Sequence, residues 1–151
     1  MTTSITYRKA ASQDLSHIKK LLTRSGLPTS DLDESPVDFI IAETGDNGLA
    51  GCIGVEQYAA DGLLRSFAVD ETLRSRRIGH RLLNELLSYS RERNIQQLHL
   101  LTTTAENYFG KAGFILSGRE NAPATIRSTT EFTSICPSSS AYMVMKILHS
   151  H

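Results

Sequence analysis

Three arginines, Arg74, Arg76 and Arg77, stand immediately before Ile78 and Gly79, where apolar spacing changes from extended to helical. The run from Leu63 to Val69 ahead of them is apolar and β-rich, and Ile78, Leu82, Leu83, Leu86 and Leu87 behind them share one helical face. Strand, basic turn and helix make an anion-binding arrangement. The first turn of a helix carries backbone N–H groups without intrahelical partners and the positive end of the macrodipole. The chemistry this permits is the gripping of a phosphate; the plainer alternative is a solvated basic turn. Two more arginines, Arg65 inside the apolar run and Arg127 between Pro123 and Phe132, carry guanidinium forks that fit a carboxylate or similar oxyanion. A structural ion pair accounts for either of them at least as well.

These groups need elements to hold them. Ile5 to Lys9 reads as a short strand, and Ser12 is placed to cap a helix in which Leu15, Ile18, Leu21 and Leu22 share a face until Gly26 and Pro28 end it. The acidic loop from Pro28 to Pro36 follows. Phe39 to Glu43 and Leu49 to Glu56 read as strands joined by Gly45-Asp46-Asn47-Gly48, whose Asn-Gly pair signals a hairpin. A turn at Ala60-Asp61-Gly62 leads into the strand at 63–69, the helix at 77–91 follows, and Gln97 to Leu101 is the next strand. A crossover helix between two strands implies that they pair in parallel with a right-handed connection. Thr104 is placed to cap a short helix reaching about Lys111, Gly113 precedes the strand Phe114 to Leu116, a short helix begins after Pro123, and Ala141 to Ile147 is the last strand. The expected fold class is therefore α/β (α+β): one domain over 1–151, with a mixed, mostly antiparallel sheet of six or seven strands, a central parallel pair and flanking helices. The last strand is expected at a sheet edge, where it could mediate a homodimer.

Sixteen basic residues balance sixteen acidic ones, so no global field recruits nucleic acid or an anionic membrane, and any anion site must be local. No apolar run approaches the roughly 20 residues needed to span a bilayer. The start, Met-Thr-Thr-Ser-Ile-Thr-Tyr-Arg, lacks a signal-peptide layout, which gives the expectation of a cytoplasmic protein. Cys52 and Cys136 suggest neither a disulfide framework nor a zinc site, and their ordinary role is that of small buried hydrophobes. His17, His80, His149 and His151 have no metal-ligand spacing, so no metal is expected.

Val69 to Gly79, followed by Leu82-Leu83, resembles the coenzyme A pyrophosphate loop of the GCN5-related N-acetyltransferases, written Arg or Gln, two residues, Gly, one residue, then Gly or Ala. Arg74 and Gly79 match. Arg77 stands at the first glycine, where it needs an ordinary right-handed backbone or must accept a strained one. Ala105 to Phe114 is similar to the family's later segment of Ala, three residues, Tyr, three residues, Gly-Phe. The resemblance implies a cosubstrate, acetyl-coenzyme A (acetyl-CoA). Its pyrophosphate would lie on the N–H groups of Ile78 and Gly79 among Arg74, Ser75, Arg76, Arg77 and His80, and its pantetheine arm would pair with Phe67, Ala68 and Val69. Thr102 and Thr103 replace an asparagine usual at the end of the second parallel strand; their hydroxyls would bond pantetheine amides or cap a helix.

The implied reaction is direct attack of an amine on the acetyl thioester in a ternary complex. An ammonium has no lone pair, so a carboxylate must take a proton, and Glu56 is the candidate. Its alternative readings are an exposed strand-end carboxylate or a partner for Arg65; Glu43 is a weaker candidate. The tyrosine that protonates the leaving thiolate is replaced by Phe109, and the neighbouring Tyr108, about 100° around a helix, is the candidate in its place. Arg65, Ser66 and Arg127 are the candidates for holding the acceptor. The C-terminal segment with Cys136-Pro137 and Met143, together with Leu63 to Ser66 and the Thr102-Thr103-Thr104 triplet, resembles a branch that accompanies arsenic-resistance operons and is related to amino-acid N-acetyltransferases. That branch implies an amino-acid-like acceptor, including organoarsenical amino acids. Arg77 and Phe109 also leave open a module that binds acetyl-CoA without turnover.

Overall fold

Three consecutive strands are flanked by stretches in which strand and helix alternate, and seven strands join one sheet. The computed structural model describes residues 4–46, 48–135 and 139–147, with backbone alone at 74–76, 134 and 135. The elements are β1 (Ile5–Lys9), α1 (Leu15–Arg24), β2 (Val37–Thr44), β3 (Leu49–Tyr58), β4 (Asp61–Val69), α2 (Ile78–Glu92), β5 (Gln97–Thr102), α3 (Glu106–Ala112), β6 (Ile115–Ser117), α4 (Ala124–Arg127) and β7 (Ala141–Lys146). The sheet order is β1-β2-β3-β4-β5-β7-β6. β4 and β5 pair in parallel at Asp61 to Leu63 against Gln97 to His99, as a helical crossover requires. No described helix is long and apolar enough to cross a membrane.

The chain forms two compact units, Met1–Val55 with Ser66–Tyr89 and Glu56–Arg65 with Ser90–His151. In the first, Ile18, Leu21 and Leu22 of α1 pack against Phe39, Ile41, Cys52 and Ala68. Each leucine, isoleucine or phenylalanine among them contributes about 1.5–3 kcal/mol of transfer free energy on full burial. Gly51 points to the other face, where a Cβ would lie 2.8 Å from Leu82 Cδ1, so α2 approaches the sheet only because this position has no side chain. In the second unit, Leu63 and Tyr142 on the sheet pack under Ala122, Ile126 and Phe132, with Tyr58, Leu101 and Val144 around them. The segment 119–135 thus covers this face, and Arg119 ties it down by donating to the Phe132 carbonyl at 3.0 Å.

Several expectations change. The helix entry uses Asp14 rather than Ser12: its carboxylate accepts the Ala11 N–H at 2.7 Å and the Arg8 guanidinium at 2.9 Å. Thr102, not Thr104, bonds the start of α3, accepting the Ala105 N–H at 3.0 Å. β7 is an interior strand between β5 and β6, so its backbone is already paired and the expected docking edge is absent; the edges are β1 and β6. Asn47, Cys136, Pro137, His149 and His151 lie outside the described residues.

Candidate active site

In the first unit the basic turn is a 3₁₀ segment, Glu71–Arg76, begun by Asp70, whose carboxylate accepts the Thr72 N–H at 3.0 Å and the Thr72 hydroxyl at 2.8 Å. The Asp70 N–H reaches back to the Ala50 carbonyl at 2.8 Å, fixing where the chain leaves β4. Arg77 then takes φ 58° and ψ 25°, the left-handed conformation natural to glycine. A side chain there costs about 1–2 kcal/mol. Of the two ways an arginine could occupy this position, the chain uses the strained one, with Arg77 exposed and Ile78 buried. α2 starts at Ile78 with no acidic residue in its first turn, so its N–H groups and dipole meet no competing carboxylate. The residues therefore fit a diphosphate. The side chains of Arg74, Ser75 and Arg76 lie outside the described residues, and His80 lies 3.2 Å from the Asn84 amide. Phe67, Ala68 and Val69 end β4, just past Ser66, which has φ 54° and a carbonyl that accepts the Cys52 thiol at 3.4 Å. Burial pushes the Cys52 thiol up to about 12, so it stays protonated and unreactive. Glu43 belongs to this unit, held by Arg8 at 3.0 Å, and that hydrogen bond lowers its carboxyl below the ordinary range.

The second unit gathers the acid–base groups. Glu56 is buried on β3 and accepts the Arg65 guanidinium at 2.8 Å and the Tyr58 hydroxyl at 2.5 Å; the side chains of Arg65 and Glu56 are 0% and 2% exposed. Glu56 is therefore not an exposed strand end, and the Arg65 partnership foreseen as its alternative is the one found. Arg65 is committed to that carboxylate and buried with it. Arg127, at the end of α4, is exposed, and no hydrogen bond or ion pair engages its guanidinium among the described residues. Tyr108 on α3 is 42% exposed, with its ring edge-on to buried Phe109 at 5.3 Å, and burial raises its phenol so that it keeps its proton at neutral pH. Thr103 is exposed beyond β5.

The sequence reading missed a second polar chain. His99, fully buried on β5, has Nε2 at 2.8 Å from Asp61 and Nδ1 at 2.7 Å from the Tyr142 hydroxyl. A histidine centred in an apolar strand was the available signal, since it must find partners on burial. Burial first, and then the charge of Asp61, push the Tyr142 phenol up to about 12.

Residues 35–116 match the family model for the acetyltransferase (GNAT) domain. The chain is similar to the amino-acid acetyltransferase of Mycobacterium tuberculosis, 30% identical in an alignment 118 residues long that covers 71% of this chain and 66% of that protein. The structure resembles N-acetylglutamate synthase from Neisseria gonorrhoeae, solved with coenzyme A and N-acetyl-glutamate: TM-score 0.80, 23% identity, 99% of this chain and 36% of that one. It also resembles a GNAT-family acetyltransferase from Staphylococcus aureus, with TM-score 0.79 and 16% identity over 96% of this chain and 100% of that one. The chain thus spans about two thirds of the curated relative and about a third of the Neisseria synthase.

Proposed function

Because the chain belongs to the GNAT acetyltransferase family, we propose that it is an N-acetyltransferase of the cytoplasm that moves an acetyl group from acetyl-CoA to the amine of a small, amino-acid-like acceptor. The observation that carries this reading is the turn ahead of α2. Arg77 takes the left-handed conformation natural to glycine despite its side chain, so an arginine in the glycine place is compatible with the turn that the resemblance implies. In the first unit the Ile78, Gly79 and His80 N–H groups, with Arg74 to Arg77, would hold the diphosphate, and Phe67 to Val69 the pantetheine arm. In the second, Thr102 and Thr103 would contribute hydroxyls, Tyr108 a proton for the leaving sulfur, and Glu56 the base.

Arg65 and Tyr58 occupy one lone pair on each oxygen of Glu56, and a carboxylate has about four acceptor sites. A lone pair therefore remains for the amine, and attack follows in a ternary complex. Ser66 and Arg65 position the base side of the acceptor, and exposed Arg127 supplies the fork for its carboxylate. The amino-acid acetyltransferase relative supports this acceptor class. The resemblance to the arsenic-operon branch adds arsenic- and phosphorus-containing amino acids to the acceptors to be tried.

Calorimetry with acetyl-CoA, followed by thiol release against a panel of amino acids and these analogues, tests the reading. Saturable binding with thiol release for at least one carboxylate-bearing amine is expected. Binding without release for any amine would instead support a coenzyme-sensing module, the reading that Phe109 in the tyrosine place favours, and absence of binding would exclude both. Glu56→Gln, checked for folding, should lose about 10²-fold or more in kcat; an unchanged rate would remove Glu56 as the base.

A further inference from the structure

Acetyl transfer to an ammonium has a proton balance that Glu56 alone does not close. The nitrogen enters with three protons and ends as an amide with one. The N–C bond forms, the C–S bond breaks, one proton goes to the departing sulfur, and one must reach solvent. Glu56 and Arg65 are sealed from water, so a proton taken there has no direct exit. The second polar chain lies on the same face of the sheet. Asp61, Leu63 and Arg65 alternate onto one side of β4, His99 is the register partner of Leu63, and Tyr142 packs with Leu63 in the cluster that Tyr58 also joins. A carboxylate only accepts, so with one ring proton on His99 that proton sits on Nε2 facing Asp61, and Nδ1 accepts from the Tyr142 hydroxyl. The phenol oxygen keeps its lone pairs for a donor on the acceptor side.

We propose that Tyr142, His99 and Asp61 form the path by which the net proton of the transfer leaves the buried acceptor site. This rests on the acetyl-transfer reading above. Of the two protons the nitrogen loses, Glu56 takes the one matched by the proton given to sulfur, and the phenol oxygen receives the other while its own O–H bond breaks toward His99 Nδ1. The imidazole passes its Nε2 proton to Asp61, and that carboxylate, 26% exposed, releases it to water. No free tyrosinate forms, in keeping with the high position of the Tyr142 phenol. Tyr142 is the group that meets the acceptor, and His99 and Asp61 act through it. Among the described residues, the other titratable or charged groups on this face are Glu56 and Tyr58 on β3, Arg65 on β4, Lys146 near the end of β7, and Arg119, Arg127 and Glu131 on the covering segment. Among the described residues, Asp61 and Tyr142 alone are bonded to the ring nitrogens of His99.

Tyr142→Phe keeps the ring against Phe132 and removes only the relay oxygen; Asp61→Asn keeps the size of the outlet and removes its charge. Each should lower kcat at pH 7 by about 10²-fold with the acetyl-CoA Kd unchanged. The deficit should shrink as pH rises above neutrality, where a growing share of free acceptor amine arrives unprotonated. Nitrogen NMR of the imidazole gives a reading independent of turnover: the neutral ring should carry its proton on Nε2, and the Nδ1 signal should move in Tyr142→Phe. A proton on Nδ1 in the neutral wild-type ring overturns the relay, as does a Tyr142→Phe enzyme whose rate is unchanged or reduced by the same factor at every pH. A wild-type protein that binds acetyl-CoA but acetylates no amine overturns the relay and the acetyl-transfer reading together.

Discussion

Replacing Arg65 by methionine leaves Glu56 as a buried carboxylate without its counter-charge. The pair is 2.8 Å apart with side chains 0% and 2% exposed, so neither group regains water when the other is removed. Breaking such a pair costs about 3–5 kcal/mol. The Tyr58 hydroxyl still donates to Glu56, and a hydrogen bond to a charged group offsets about 1.5–3 kcal/mol, which puts the expected loss toward the lower end of that range. Against a domain stability of about 5–15 kcal/mol, this is a large fraction that urea unfolding resolves easily. Glu56→Gln should destabilise for the mirror reason, leaving the guanidinium unmatched. The double variant removes both charges, so its loss should fall short of the sum of the singles by about 1–3 kcal/mol. Single losses that add to within about 0.5 kcal/mol would refute the idea that these groups are tolerated in the core only as a neutral pair.

Arg127→Ala, on an exposed residue, should raise KM for a carboxylate-bearing acceptor about tenfold or more while leaving thermal stability and acetyl-CoA affinity unchanged; steady-state kinetics with each substrate varied checks it. Gly51→Ala would press a methyl to 2.8 Å from Leu82 Cδ1 and 3.0 Å from the Ala68 carbonyl, and should cost about 1–3 kcal/mol in urea unfolding. Arg77→Val places a β-branched residue at φ 58° and should weaken acetyl-CoA binding by about tenfold in calorimetry, whereas Arg77→Gly, which relieves the backbone and removes only the cation, should weaken it less. The hydrogen bond from Arg8, foremost, lowers the Asp14 carboxyl below its unfolded value of about 3.9, so its stabilisation is present above that pH and lost as pH falls through the lower folded value. Asp14→Asn should therefore lower Tm at pH 7, and the gap should close toward about pH 2 in melts across the acid range.

The elements were legible because each had a local cause. Gly26 at φ 74° ends α1 where a left-handed residue is required, and the apolar periods at Ile18, Leu21 and Leu22 and at Ile78 and Leu82 mark buried faces. The pyrophosphate turn was legible as a spacing, although the sequence alone did not decide whether Arg77 kept an ordinary backbone. Partnerships between distant residues were not legible. Asp61 and His99 are 38 positions apart, and His99 and Tyr142 are 43 apart, so only the order of strands brings them together. The same holds for β7: its apolar alternation is that of any half-buried strand, and its place between β5 and β6 follows from where the chain returns after segment 119–135.

The polar groups on the face beneath that segment are difficult to explain by stability. Around Leu63, Phe132 and Tyr142 the chain buries Glu56, Arg65 and His99, and each must be matched to be tolerated. Apolar side chains of similar size in a buried ion pair are often as stable or more stable, because the attraction within the pair is spent largely on desolvation. What the polar set supplies and a hydrophobic one does not is a fixed lone pair on Glu56 and a continuous proton path ending at partly exposed Asp61. The same inversion holds at Arg77, where a glycine would relieve the backbone and an arginine adds a cation beside the first turn of α2. Both are places where local stability is given up, and both lie where the proposed transfer needs charge: a cation at the diphosphate and an outlet for the proton.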